Sequence, residues 1–167
     1  MPQKKKKTYP SWSMFPEHHA LVADELAKSG LHFQFNEVDD EDDCIQEYDT
    51  NIMGRFRCRR GNCPTGGWSS KRIAITIREY PGTTYNARVY HQRCKSCNGL
   101  SRPTLDVQSY VDRIVYRLKK WNGIAVERPM YSEEKSKRPH EESLCEGCKD
   151  GHCIQSGGGV VTGDDYW

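Results

Sequence analysis

The stretch Tyr85-Asn-Ala-Arg-Val-Tyr-His-Gln-Arg-Cys-Lys-Ser-Cys97 joins a β-type segment directly to a C-x2-C cysteine pair. Upstream, Lys71-Arg-Ile-Ala-Ile-Thr-Ile-Arg78 alternates isoleucine with other residues, which is the pattern of a half-buried strand. Tyr80-Pro-Gly-Thr-Thr84 lies between the two segments and has the composition of a turn. The sequence therefore predicts an antiparallel hairpin whose second strand ends at two cysteines.

A second cysteine pair precedes this hairpin. Cys58 and Cys63 form a C-x4-C pair before the first strand, and Cys94 and Cys97 follow the second strand. Antiparallel pairing brings these two ends of the hairpin together. The four thiolates can then share one tetrahedral zinc ion, as in a zinc ribbon.

The remaining cysteine cluster lies between residues 139 and 153, with three cysteines and two histidines. The expected ligands of a second zinc ion are His140, Cys145, Cys148 and Cys153. Two alternatives stay open: His152 could replace His140, and the pairs could be exchanged so that Cys94 and Cys97 face Cys145 and Cys148. Eight ligands fill two tetrahedral sites, so both zinc ions are expected to be structural.

Composition supports a fold built around metal. The 167 residues include only 28 Leu, Ile, Val and Phe, but eight cysteines. This apolar content is too low for an ordinary core. Structural zinc contributes an apparent binding free energy of about 10–16 kcal/mol, comparable to the net stability of a whole domain. Zinc binding therefore offsets the thin core.

Charge is segregated along the chain. Residues 36–50 carry eight acids and no Lys or Arg, whereas residues 55–153 carry 20 Lys or Arg against 10 Asp or Glu.

Helical spacing of apolar residues predicts a short helix within 17–28 and a longer one over 105–121. The predicted segments are a basic flexible arm (1–15), a short helical segment (16–35), an acidic linker (36–50), a zinc-binding domain (51–153) and a Gly-rich tail (154–167).

The predicted fold class is α+β. It combines a zinc-ribbon-like antiparallel β-hairpin and its zinc knuckles with a packed C-terminal helix and a short N-terminal helix. Within it, Gln-Arg-Cys-x-x-Cys at 92–97 and Cys-Glu-x-Cys-x-x-Gly-x-Cys at 145–153 resemble the three-CxxC-type zinc finger family. That family includes receptor-transporting proteins, zygote arrest proteins and many uncharacterised fungal proteins, and the chain is most similar to the fungal members.

The resemblance covers roughly residues 51–153 and implies zinc and a binding role. The four-residue spacing of Cys58 and Cys63 departs from the two-residue spacing of the family. Receptor-transporting proteins assist membrane delivery of receptors, and zygote arrest proteins are implicated in RNA binding. The resemblance names no partner for this chain.

Two binding functions are compatible with these residues. The first is a protein-interaction adaptor or chaperone-like module with an unknown protein partner. The alternative is single-stranded RNA binding, with stacking on Trp68, Tyr85 or Tyr90. The candidate phosphate-binding residues are Arg72, Arg78, Arg88, Arg113, Arg117 and Lys120. The acidic segment 36–50 could fold over this basic face and mimic a polyanionic partner.

An enzyme is not expected. No phosphate-binding loop or nucleophile motif is present, and no small-molecule substrate is expected. No apolar run reaches the roughly 18 residues of a membrane span, and the basic run Lys4–Lys7 is not followed by an apolar signal stretch. The sequence therefore predicts a cytoplasmic protein without a membrane span, with the nucleus as the alternative location.

Overall fold

The computed structural model describes residues 10–127 and 140–154. The strands are β1 (Trp12–Ser13), β2 (Gln34–Phe35), β3 (Gln46–Arg57), β4 (Gly67–Tyr80), β5 (Thr84–Tyr90), β6 (Gln92–Arg93), β7 (Leu100–Ser101) and β8 (Thr104–Leu105). The helices are α1 (His19–Ala27), α2 (Val107–Trp121) and α3 (Glu146–Lys149), with 3-10 turns at Pro16–His18 and Glu142–Leu144. The mixture of helices and antiparallel sheet confirms the α+β class.

The centre of the fold is β4, which pairs antiparallel with β3 on one edge and with β5 on the other. Ile75 of β4 lies opposite Thr50 and Val89 of the two neighbours. The short strands extend this sheet: β1 and β2 pair with opposite ends of β5, and β8 pairs with β3 at Gly54. Strands β6 and β7 form a separate two-stranded sheet beside the first cysteine cluster.

One face of the sheet carries the main hydrophobic core. Residues of α1 and α2, including Leu26, Ile114 and Leu118, pack against the isoleucines of β4 and are fully buried. Helix α2 begins where Asp106 caps it, because its carboxylate accepts a hydrogen bond from the backbone N–H of Ser109. The sparse aliphatic residues are thus concentrated in one layer between the sheet and two helices.

The other face of β4 is also covered. Ala74 is 1% exposed, and Thr76 and Arg78 are 0% exposed. The strand is therefore buried on both faces, which differs from the half-buried strand that the alternation predicts. The covering layer consists of the cysteine cluster at residues 140–153 and the acidic residues that precede β3.

Residues 36–50, predicted as an acidic linker, are instead packed against the sheet and partly belong to it. β3 begins at Gln46, and the backbone N–H of Ile45 donates a hydrogen bond to the carbonyl of Glu79 on β4. Asp39 is only 6% exposed, because its carboxylate lies against two arginines of the sheet. Pairing with these arginines orders the acidic segment.

The termini of the chain are only partly described. Residues 10–15 of the predicted flexible arm are ordered, since β1 pairs with β5 and Phe15 is buried in the core. The Gly-rich tail lies outside the described residues beyond position 154. Among the described helices, none is long and apolar enough to cross a membrane.

Candidate metal centres

The first cluster of cysteines lies where β3 and β6 end. The sulfurs of Cys58 and Cys97 are 3.4 Å apart, and those of Cys63 and Cys94 are 3.6 Å apart. All four sulfurs lie within 4.8 Å of one another. A tetrahedral site with Zn–S bonds of about 2.3 Å has sulfurs about 3.8 Å apart. The four thiols therefore have the spacing of a structural zinc site.

Two tight turns direct these sulfurs towards one point. The backbone N–H of Cys58 donates to the carbonyl of Gly66 at 2.9 Å, and that of Cys94 donates to the carbonyl of Gly99 at 2.9 Å. Gly66 has a φ of +65°, a left-handed conformation that glycine adopts without a steric penalty. The chain can therefore reverse after the four-residue spacer and enter β4.

Two thiols of the first cluster, those of Cys58 and Cys94, have pKa values shifted in opposite directions. Burial raises the pKa of Cys94, but backbone N–H groups of Cys97 and Ser96 outweigh it and lower the pKa to about 6. The backbone N–H of Arg60 lowers the pKa of Cys58, yet desolvation and neighbouring thiols outweigh it and raise the pKa to about 12. Thiols this close cannot all ionise alone, whereas a divalent cation lets all four act as thiolate ligands.

The second donor set comes from the chain around α3. His140 Nε2 lies 3.2 Å from Cys148 Sγ and 3.6 Å from Cys153 Sγ. Cys145 Sγ completes a group whose ligand atoms all lie within 4.8 Å of one another. His140 rather than His152 joins this set, and the cysteine pairs are not exchanged between clusters. One nitrogen and three sulfurs fit a second structural zinc site.

The turn around α3 that carries Cys145, Cys148 and Cys153, which we call the second knuckle, packs against the sheet. A Cβ atom on Gly147 would lie 2.4 Å from the Cβ of Ala74, so α3 approaches β4 as closely as a glycine allows. Arg93 Nε donates a 2.7 Å hydrogen bond to Glu146 Oε1. The knuckle thereby covers the face of β4 that the helices leave open.

These two tetrahedral donor sets agree with a comparison of the sequence with protein families. Residues 51–151 match the family model Zn_ribbon_3CxxC, which is described as a zinc-binding domain. The chain belongs to the three-CxxC zinc-ribbon family. The matched part of this three-CxxC domain contains the first donor set complete, and Cys153 of the second lies just beyond it. No curated protein and no solved structure gives a match to the chain.

Family membership and geometry together confirm the predicted cofactor. The three-CxxC domain carries two donor sets that fit two structural zinc ions. Its first cysteine pair keeps the C-x4-C spacing and still contributes two sulfurs to one site. The departure from the family spacing therefore leaves the first zinc site intact.

The structure buries two of the predicted phosphate-binding arginines. Arg78 Nη1 lies 3.0 Å from Asp39 Oδ1, and Arg78 Nε lies 2.9 Å from Glu47 Oε2. Arg88 also pairs with Asp39, and lies 3.0 Å from Glu41. We call these five residues the acidic clamp. Arg78 and Arg88 are 0% and 7% exposed, so they hold the acidic segment and do not present charge to solvent.

Arg117 is likewise buried, at 6% exposure. Its guanidinium carbon lies 3.3 Å from the ring centroid of Tyr48, and desolvation lowers its pKa. Arg72 and Arg113 are partly exposed and Lys120 is exposed. Three of the six residues of the predicted basic face are therefore buried.

Two of the three aromatic residues proposed for base stacking are fully buried, and the third is half-buried. Tyr85 and Tyr90 are 0% exposed. Trp68 stacks on Phe56 with ring centroids 5.0 Å apart and donates a hydrogen bond from Nε1 to Gln92. These rings stabilise the sheet and do not offer stacking platforms.

His91 lies beside the zinc domain core without joining either donor set. It is 3% exposed, and its Nε2 lies 2.7 Å from Ser13 Oγ. Burial, with a smaller contribution from the charges of Arg102 and Arg59, lowers its pKa from 6.5 to about 4. The imidazole is therefore neutral in the folded protein at neutral pH.

Acid should weaken the fold through this histidine. In the unfolded chain His91 takes up a proton near pH 6.5, whereas the folded protein resists protonation down to about pH 4. Its contribution to stability is full above pH 6.5 and is lost as the pH falls towards 4. From pH 7.5 to 5.5, the wild type should lose about 1 kcal/mol more unfolding free energy than a His91→Asn variant. Urea titrations with zinc content checked at each pH measure this, and equal losses in the two proteins would contradict it.

Proposed function

We propose that this chain is a non-enzymatic binding protein whose three-CxxC domain engages single-stranded RNA. Each donor set supplies four protein ligands, so neither zinc ion keeps the open coordination position that catalysis requires. The metal then holds a binding surface in shape. A cytoplasmic or nuclear location, as expected from the sequence, is compatible with an RNA partner.

The observation that carries this proposal is an exposed basic surface around the first zinc site. Residues 51–72 and 91–105 contain nine Lys or Arg and no Asp or Glu. Arg55 and Arg57 alternate with buried Gly54 and Phe56 along β3 and are both exposed. The exposed members of this surface, which we call the basic ribbon, are Arg55, Arg57, Arg59, Arg60, Lys71 and Lys95.

The basic ribbon suits phosphate contacts better than base recognition. Arg55 and Ser69 are directly paired across β3 and β4, so Arg55, Arg57 and Lys71 lie along one face of the sheet. The four thiolates and zinc add a charge of −2, which the six cations of the ribbon outweigh. Binding should therefore depend on charge and fall steeply with salt.

RNA binding is tested with the zinc-loaded full chain and a fluorescent single-stranded RNA. The wild type should bind with a Kd below about 10 μM at low salt. Arg55→Gln/Arg57→Gln should weaken binding and reduce the slope of log K against log salt by about 1.4. The matched control, Arg113→Gln/Lys120→Gln, removes the same charge from α2 and should keep the wild-type slope.

Two results would contradict this function. Equal slopes of log K against log salt for the two double variants would show that the basic ribbon does not contact the RNA. Capture of a protein and no RNA by the tagged full chain would favour the adaptor or chaperone-like role expected first from the sequence. In that case an acidic protein surface is the partner chemistry that the basic ribbon fits.

A further inference from the structure

A third group of metal-ligating side chains lies between β3 and the second knuckle. It consists of Glu47, Asp49 and His152, whose ligand atoms all lie within 4.8 Å of one another. His152 Nδ1 is 3.1 Å from Asp49 Oδ2 and 3.9 Å from Glu47 Oε1. None of the three belongs to the two zinc donor sets. This combination of one imidazole and two carboxylates is a common ligand set for divalent transition metals.

Neighbouring residues fix how the carboxylates are presented. Glu47 and Asp49 are two residues apart on β3, so their side chains lie on the same face. Thr76 Oγ1 donates a 2.7 Å hydrogen bond to Asp49 Oδ1, and Arg78 Nε donates a 2.9 Å hydrogen bond to Glu47 Oε2. One oxygen of each carboxylate therefore stays directed towards His152.

The imidazole is held from a different part of the chain. The ring of His152 stacks on Tyr90, with centroids 6.1 Å apart and planes within 16°. Its backbone N–H donates to the carbonyl of Gly147 at 2.9 Å, inside the second knuckle. The fold of the knuckle thus places His152 Nδ1 over the two carboxylates on β3.

We propose that Glu47, Asp49 and His152 form a third, exchangeable divalent-metal site, distinct from the two structural zinc sites. The side chains are 38%, 27% and 22% exposed, so an ion can enter from solvent and keep water ligands. A metal ion held by these three side chains joins β3 to the second knuckle. Oxygen and nitrogen donors without thiolate suit Mn²⁺, Co²⁺ or Zn²⁺.

Mn²⁺ is the sharpest probe for this site. It ranks lowest in the Irving–Williams order and prefers oxygen ligands, so it does not displace zinc from the thiolate sites. The full chain, loaded with two zinc ions, is titrated with Mn²⁺ while the electron paramagnetic resonance signal of free Mn²⁺ is recorded. One equivalent should bind per chain, and added Zn²⁺ should release it.

The variants separate a metal site from an ordinary histidine–carboxylate hydrogen bond. Asp49→Asn and His152→Asn should each weaken Mn²⁺ binding by at least about 10-fold while both structural zinc ions remain. Glu47→Gln, which can still contact Arg78, should weaken it as well and serves if either other variant fails to fold. The matched control His32→Asn replaces an exposed histidine elsewhere and should bind as the wild type does. Absence of bound Mn²⁺ at about 1 mM, or equal binding by wild type and Asp49→Asn, would overturn the proposal.

Discussion

Replacing Cys94 by serine should abolish the first zinc site and unfold most of the domain. Cys94 is 1% exposed and its sulfur is one of four converging donors. Losing a structural zinc ion removes about 10–16 kcal/mol of apparent binding free energy, which is comparable to the total stability expected for a domain of this size. The core cannot compensate, because its aliphatic residues form only one layer between the sheet and two helices.

Metal analysis and circular dichroism together test this expectation. The wild type should contain two zinc ions per chain, and the Cys94→Ser variant at most one, with loss of cooperative unfolding. Cys44→Ser is the matched control, since Cys44 lies outside both donor sets. It should keep two zinc ions and the wild-type transition. A Cys94→Ser protein that retained two zinc ions would refute the assignment of ligands.

Asp39→Ala should lower the free energy of unfolding by about 3–5 kcal/mol. Its carboxylate is the shared partner of Arg78 and Arg88 in the acidic clamp. Removing it leaves two guanidinium groups buried with too little negative charge. The hydrogen bonds of Asp39 also raise the pKa of Arg88 against the opposing effect of burial, so the charged arginine depends on this carboxylate.

The control for the clamp is Asp43→Ala, which removes the same charge from an exposed position of the same segment. It should change the unfolding free energy by no more than about 0.5 kcal/mol. Urea titrations of the zinc-loaded proteins at neutral pH compare the two. Equal stabilities for both variants would show that the clamp does not stabilise the fold.

The cysteine pairs of both zinc donor sets could be predicted from the sequence because the spacing within each pair is local. Short spacings between cysteines bring sulfurs together in a turn, and this holds whatever surrounds the turn. The same is true of α2, where helical spacing of apolar residues and the cap at Asp106 coincide. The choice of His140 over His152 required the structure, since both histidines lie close to the same cysteines in sequence.

Strand β3 could not be predicted, because acidic residues in its first half obscure the pattern of a strand. Its first half carries Glu47 and Asp49, whose charges suggest a solvated linker. These acids are accommodated in the sheet because Arg78, on the paired strand, donates a hydrogen bond to Glu47, and Thr76 donates one to Asp49. The complementary charges are far apart in sequence. For the same reason, Arg78 and Arg88 resemble surface residues in the sequence, although Asp39 pairs with both of them inside the fold.

The spacing of ligands along the chain makes the two zinc ions unequal in their effect on folding. The second donor set lies within residues 140–153, so a locally ordered peptide can hold its ion even when the sheet has come apart. An ion that also binds the unfolded chain shifts the folding equilibrium by less than its affinity suggests. The first set reaches from Cys58 to Cys97 and spans β4 and β5. Its ion binds only once the strands have paired, so nearly all of its binding free energy stabilises the native state.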